Sequence, residues 1–472
     1  MMFSCPKSIM LPGGVIVAAL VGAGCSFAGL EAPACWCAAT ATLCAMWWIF
    51  EVLPIAATAL LPFIVFPMTG VLDHRTVATA YGHTMILLLM GGFLLSAAME
   101  RSGAHRRLAM IMVRAVGGRG ERRIVLGFML ATAMLSMWIS NTATTLMMLP
   151  IAMAVLERHA CNGLRVPLLL GIAYSASVGG MGTPVGTPPN AMFMGFYEEK
   201  LGRSLAFVDW MVIAVPIVAI LLPIIWLWLT RNLKSDAIFE MPDVGAWRSA
   251  EVRVLIVFGL TALAWITRTT PFDGWSYWIG ATTPNDAGGI TSLVGDSTVA
   301  LAATLALFII PSGGEVKGPL LDWETAERIP WGILLLFGGG LALAKGFDAS
   351  GLSTVIGDSL AVLASMPPIL VIGGVCLLVT FLTEITSGTA TTALLLPILA
   401  STAIAADVPA EMIMIPGTIS ASCAFMLPVA TAPNTIVYGA GGLSTGVMAR
   451  TGLVLNLIAV CVITTFCWLM LS

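Results

Sequence analysis

Two short runs of small polar residues interrupt apolar sequence, Ser140-Asn141-Thr142 and Ser387-Gly388-Thr389. Ser, Asn and Thr offer neutral oxygens to a hard cation and O–H or N–H donors to an anionic oxygen. A helix broken at such a run sets a C-terminus with free carbonyls beside an N-terminus with free N–H groups. The first suits a cation and the second a carboxylate or sulfate. The first break manages without glycine, whereas Gly388 lends the second its backbone freedom. A matched pair of turns follows, Gly186-Thr187-Pro188-Pro189-Asn190 and Ala430-Thr431-Ala432-Pro433-Asn434, where proline removes amide donors and leaves carbonyls in need of a partner. Plain structural explanations compete. Ser and Thr in membrane helices also serve close packing or bond back to the preceding turn, and proline also serves merely to kink a helix.

Recurrence in register favours the chemical reading. Ile86 to Gly92 reads ILLLMGG and Ile333 to Gly339 reads ILLLFGG, an offset of 333 − 86 = 247. Ser140 to Thr145 (SNTATT) and Ser387 to Thr392 (SGTATT) share it, since 387 − 140 = 247, as do Pro150 and Pro397, and Ser136 and Thr383. TPVGTPPN at Thr183 to Asn190 answers LPVATAPN at Leu427 to Asn434 at 427 − 183 = 244.

The elements that must hold these residues are membrane helices. The chain is 58% hydrophobic and 10% charged, too few charges to clothe a soluble protein of 472 residues. Apolar runs of bilayer length fall at 11–29, 33–50, 52–70, 83–99, 207–230, 253–268, 297–311, 331–346 and 453–471, with interrupted runs over 121–200 and 367–441. The expected fold is an all-α polytopic membrane protein with about eleven crossings, two re-entrant hairpins (121–157 and 367–403) and two unwound helices. In each hairpin an apolar helix is expected to break at the triplet, the first near Ile139 with its second helix resuming near Ala143. The expected units are N-terminal scaffold helices 1–70, a first repeat 71–235, scaffold helices 236–312 that open the second repeat, and its remainder 313–472.

Seven arginines (Arg101, Arg106, Arg107, Arg114, Arg119, Arg122, Arg123), of 22 Lys and Arg in all, crowd one connection. The positive-inside rule places it in the cytoplasm. The counterpart 348–370 contains no Lys or Arg and is expected outside, so the same unit occurs twice in opposite orientations, the inverted arrangement of secondary transporters. Arg231, Lys234, Arg248, Lys317 and Arg328 agree as inside residues, and Asp273, Asp286 and Asp296 as outside ones. A plasma-membrane protein with its N-terminus, near Lys7, inside and its C-terminus outside is expected. The first apolar stretch, ending near Gly24 and Cys25, reads as a transmembrane helix rather than a signal peptide, because apolar character continues past it. The ten cysteines, among them Cys5 and Cys161, show no metal-ligand spacing, and a net charge of −3 gives no ground for nucleic-acid binding.

In these motifs, together with EVLPIAATALLP at Glu51 to Pro62 and TEITSGT at Thr383 to Thr389, the chain resembles the divalent anion/sodium symporter family, whose members carry dicarboxylates, citrate or sulfate. The resemblance covers most of the chain. It implies sodium-coupled uptake of a small divalent anion by a homodimer whose transport domain moves as an elevator against a scaffold. It implies one sodium site at Ser136, Ser140, Asn141 and the Gly186 carbonyl, and a second at Thr383, Thr386, Gly388 and the Ala430 carbonyl. The anion would meet Asn141, Thr142, Thr187, Ser387, Thr389 and Thr431. Gly388 departs from the family, which commonly places a second Asn there, and so lacks a carboxamide able to touch both ligand and ion.

An ionisable residue at membrane depth is a functional candidate, which makes Glu384 a rival centre for a proton-coupled carrier or antiporter. Its structural alternative is a carboxylate paired with Lys345 or hydrogen-bonded at the hairpin. Sodium-independent anion exchange is a further rival. His83 reads as a polar helix end, Glu51 and Lys345 as residues near helix ends, and Gly338-Gly339-Gly340 as helix rather than phosphate loop, for want of the Lys-Ser/Thr ending. The lack of an HExxH motif or a Ser/His/Asp set argues against an enzyme.

Overall fold

The computed structural model describes residues 7–158, 163–234, 237, 239, 245–269, 274–284, 290–313, 318–360, 363 and 365–471. Cys5, Cys161, Asp273, Asp286 and Lys317 lie outside them. The chain is helical almost throughout. It opens with α1 (Lys7–Phe27), α2 (Ala32–Ile49), α3 (Ile55–Thr58) and α4 (Leu61–Thr69). There follow α5 (His74–Tyr81), α6 (Thr84–Ser102), α7 (Ala104–Gly117), α8 (Glu121–Ser136), α9 (Asn141–Arg158), α10 (Arg165–Gly180), α11 (Pro188–Leu201) and α12 (Phe207–Thr230). Then come α13 (Ser249–Ile266), α14 (Gly274–Trp278), the short antiparallel strands β1 (Thr282–Pro284) and β2 (Ile290–Ser292), and α15 (Asp296–Ile309). The last stretch is α16 (Trp323–Ala326), α17 (Trp331–Ala349), α18 (Leu352–Ser359), α19 (Pro368–Thr383), α20 (Gly388–Ala405), α21 (Glu411–Ser420), α22 (Ala432–Gly439) and α23 (Thr445–Leu471). Among the described residues, eight helical stretches are long and apolar enough to cross a bilayer, and three apolar ones are shorter.

The run 52–70, expected as one crossing, is instead two helices, α3 and α4. Pro62 has no N–H to return to the Thr58 carbonyl, so the ladder fails there. The freed carbonyls find other donors: the Cys44 thiol approaches that of Thr58, and the Tyr81 hydroxyl donates to that of Ala59. Asp73 caps α5 by accepting from the N–H groups of Arg75 and Thr76, and Asp322 caps α16 through Thr325. His83 caps α6, its Nδ1 accepting from the Met85 N–H, as a helix-end residue should.

The core is centred on α10, whose side chains from Pro167 to Gly180 are all buried. A helix apolar on every side belongs in the middle of a bundle. α8, α9, α12 and α22 surround it. Small residues allow close approach elsewhere, as at Gly91 on α6, where an added Cβ would lie 2.6 Å from that of Ala300 on α15.

Two polar braces fix the frame around the first hairpin. Arg107 on α7 is buried; it donates to Glu251 on α13 at 2.7 Å and to the carbonyls of Gly245 and Ala246, with the Trp247 ring beneath it. Arg268 donates to Asp296 at 2.6 Å, and the other Asp296 oxygen accepts from the Phe207 N–H. This second brace supports a stack of rings, Trp265 on Phe207 at 4.6 Å and Phe207 on Trp138 at 5.9 Å, which pins the tip of the first hairpin to α12 and α13. Cutting one partner from a buried pair strands the other charge, so Arg107→Ala should cost about 3–5 kcal/mol. Thermal unfolding in detergent checks this, and the double variant Arg107→Met, Glu251→Leu should recover most of the loss.

Candidate functional site

The first break lies slightly earlier than its triplet suggests. α8 ends at Ser136 rather than near Ile139, and α9 begins at Asn141 rather than Ala143. Trp138 leaves the helix to join the aromatic stack, and the Ser140 carbonyl starts the next helix by accepting from the Thr144 N–H. In the second hairpin α19 ends at Thr383 and α20 begins at Gly388. The two breaks are therefore in register, 383 − 136 = 247 and 388 − 141 = 247. The Pro-Asn turns likewise interrupt two helices, with α10 ending at Gly180 before α11 starts at Pro188, and α21 ending at Ser420 before α22 starts at Ala432.

At the first break the oxygens outnumber the protons between them. The Ser136 hydroxyl lies 2.6 Å from Asn141 Oδ1 and 2.7 Å from the Ala176 carbonyl, yet it has one hydrogen to give. A surplus lone pair in a buried cluster of three neutral oxygens suits a hard cation. Asn141 packs on Gly180, where a Cβ would fall 2.5 Å from Oδ1, and Gly186 nestles against the carbonyls of Gly180 and Met137. Ser136, Asn141 and Gly186 thus share one locus, with Ser140 on the connecting turn. In the second half the hydroxyls of Thr383 and Thr386 donate back to the carbonyls of Thr380 and Leu382, while Thr391 meets Thr386 at 2.6 Å. Gly388 sits over the Ala421 carbonyl, 2.6 Å from where its Cβ would be, and Ala430 is buried in the turn before α22.

The six residues expected to meet the anion all stand at helix N-termini. Asn141 and Thr142 open α9, and Thr187 is the N-cap of α11. Ser387 stands at the N-cap position of α20 with Thr389 in its first turn, and Thr431 caps α22, its hydroxyl accepting from the Asn434 N–H. α9 packs against α22 and α11 against α20, so the helices that begin with these residues meet across the two halves of the chain. Each of these four N-termini carries a partial positive charge, with no Lys or Arg in either triplet or either Pro-Asn turn.

The composition of the motifs did not disclose how the unwound turns are held. Asn190 donates from Nδ2 to the carbonyls of Gly180 (3.0 Å) and Thr183 (2.7 Å), and Asn434 does the same to Ala424 (2.9 Å) and Leu427 (3.0 Å). Every member of this pattern is displaced by 244, as 434 − 190, 424 − 180 and 427 − 183 show. Both side chains are fully buried. The halves differ in their remaining brace. Thr183 donates to the Met137 carbonyl and accepts from the Gly186 N–H in the first. In the second, Glu384 accepts from the N–H groups of Met426 (2.8 Å) and Leu427 (2.9 Å) and from Asn456 Nδ2 (2.7 Å). Asn456 is a buried polar residue within the apolar α23, which was the one signal for it in the sequence. Glu384 is therefore hydrogen-bonded at the hairpin and not paired with Lys345, which binds Glu199 at 2.9 Å and Thr79 at 3.0 Å. No cluster of three His, Cys, Asp or Glu suited to a metal occurs among the described residues.

Residues 45–415 match the family described as citrate transporter. The sodium-dependent dicarboxylate transporter SdcS of Staphylococcus saprophyticus is 39% identical over 442 residues, covering 89% of this chain and 82% of that one. Its namesake in Staphylococcus aureus is 38% identical over the same shares. This chain belongs to the divalent anion/sodium symporter family. It is a multi-pass membrane transporter and not an enzyme. Two solved transporters share the fold: YdaH of Alcanivorax borkumensis (TM-score 0.57, 14% identity, 84% of this chain and 88% of that) and MtrF of Neisseria gonorrhoeae (TM-score 0.62, 12% identity, 86% and 84%).

Within this family the small residues at the breaks become testable. Gly388→Asn should be poorly tolerated because its Cβ meets the Ala421 backbone; overpacking of this kind costs about 1–3 kcal/mol. Unfolding temperature compared with Gly446→Asn, at a helix position with open space around it, reads the difference.

Proposed function

We propose that this protein takes up a small dicarboxylate together with sodium ions. The observation that carries the reading is the oxygen cluster with a spare lone pair at Ser136, Asn141 and Ala176, at the start of a helix, α9, that packs on α22 of the other half. Dipoles alone offer roughly half a charge each. That field fades beyond the first turn of each helix, so a dianion in a low-dielectric site without Lys or Arg is served by a full positive charge as well, which sodium supplies. The names of the staphylococcal relatives support sodium and a dicarboxylate as the pair. On this reading the anion lies among Asn141, Thr142, Thr187, Ser387, Thr389 and Thr431. One sodium sits at Ser136, Ser140, Asn141 and Gly186, and another at Thr383, Thr386, Gly388 and Ala430.

The same proposal takes the two halves as inverted repeats, with the arginine-rich connection facing the cytoplasm, and has a homodimer carry the hairpins across the membrane as an elevator. Sulfate is the alternative dianion. Uptake of labelled succinate into proteoliposomes tests the coupling. It should require external sodium, and Asn141→Ala should raise the half-saturating sodium concentration about tenfold, the worth of ~1.4 kcal/mol of ligand binding. Equal uptake in choline buffer sinks the proposal, and uptake of sulfate but not succinate redirects it.

Glu384 we assign to positioning rather than proton transfer, because its carboxylate is engaged by three donors that hold the second unwound turn. Glu384→Gln should lower the rate yet leave the pH profile of uptake unmoved. A profile displaced by that single change would return the proton-coupled reading.

A further inference from the structure

A cavity of about 390 Å³ lies between α2, α17, α18 and the second hairpin, sharing Thr386 with the second proposed sodium site. Its volume falls in the range of small-molecule pockets, about 300–1,000 Å³. Ala41 and Ala45 of α2, Phe347 of α17 and Ile398 of α20 represent its walls, and no charged side chain lines it. Three hydroxyls border it, and all are occupied. Thr42 donates to the Ala38 carbonyl at 2.8 Å, Thr386 donates to that of Leu382 at 2.7 Å, and Thr391 is bonded to Thr386. A water there would find only hydroxyl lone pairs to donate to and no donor to accept from, on walls that are otherwise apolar, whereas buried water typically makes two to four hydrogen bonds. The occupant that fits is apolar along its length.

The bilayer is its source. α2 is long and apolar enough to cross a membrane, Trp36 is half exposed on its outer side, and Ile49 belongs both to the cavity wall and to the exposed surface. We propose that the cavity holds one acyl chain of a membrane phospholipid, wedged between α2 and the second hairpin. Leu382 and Thr386 in its wall flank the break before α20. A chain lodged there steadies that break, and displacing the hairpin past α2 requires expelling it. This last consequence rests on the transport reading above; the binding itself does not.

The test uses the full chain reconstituted in vesicles of phosphatidylethanolamine and phosphatidylglycerol containing a trace of phospholipid with a diazirine in its acyl chain. After photolysis, labelled peptides are mapped by mass spectrometry. Label should fall on 38–49 and 382–398, and the filling variants Ala41→Leu with Ala45→Leu, or Ile398→Phe from the opposite wall, should cut it about tenfold by excluding methylenes from the site while α1 labelling stays constant. Thermal unfolding confirms that at least one filled variant is folded. Label on these peptides that is indifferent to filling, or that comes only from a free diazirine fatty acid, overturns the proposal. Since labelling is read without transport, a labelled protein that carries no dicarboxylate would refute the proposed function and leave this site standing.

Discussion

Hydrocarbon offers no hydrogen bonds, so a backbone that leaves the helix at membrane depth must be satisfied by the protein itself. Four interruptions in this chain violate helical pairing, and most of the buried polar residues near them answer that violation. Asn190 and Asn434 each collect the carbonyls of one unwound turn. Tyr174 in the buried centre of α10 donates to the Phe425 carbonyl at 2.8 Å, and Asn456 accepts from the Phe425 N–H while donating to Glu384. Carbonyls left over after this accounting are the ones free to face an ion.

The two halves meet the same constraint with different parts. In the first, a bulky carboxamide (Asn141) lies over a bare backbone (Gly180). In the second, offsets of 247 and 244 put Gly388 and Ala424 at the corresponding positions, and Gly388 lies over the Ala421 carbonyl instead. The brace changes in kind too, a neutral threonine hydroxyl in one half and a carboxylate in the other. One half holds its turn with a hydroxyl and the other with a carboxyl group, so the two turns, alike in backbone shape, differ in the polarity of what supports them.

Much of this was legible in the sequence, because membrane helices and matched repeats declare themselves by length and register. The span 207–230 was read to the residue as α12, and the breaks, the unwound turns and their offsets were all visible. What stayed hidden depends on partners remote in sequence. The split of 52–70 turned on Pro62, whose missing N–H matters once Tyr81 and Cys44 are there to take the freed carbonyls. The early end of α8 depended on rings at Phe207 and Trp265. Glu384 looked equally able to pair with Lys345, since helix periodicity says nothing of which buried acid meets which base.

The packing of α9 on α22 and of α11 on α20 also sets an order of birth. α11 ends at Leu201, but α20, which packs on it, begins at Gly388, 388 − 201 = 187 residues later. At ordinary rates of synthesis that interval is roughly 10–40 s. During it the first break and turn can rest on α6 and α10 and, once made, on α12 and α13, but not on their second-half partners. Asn190 draws its carbonyls from its own turn, so the early half can wait in the bilayer without late-made residues, and assembly closes as the final helices arrive.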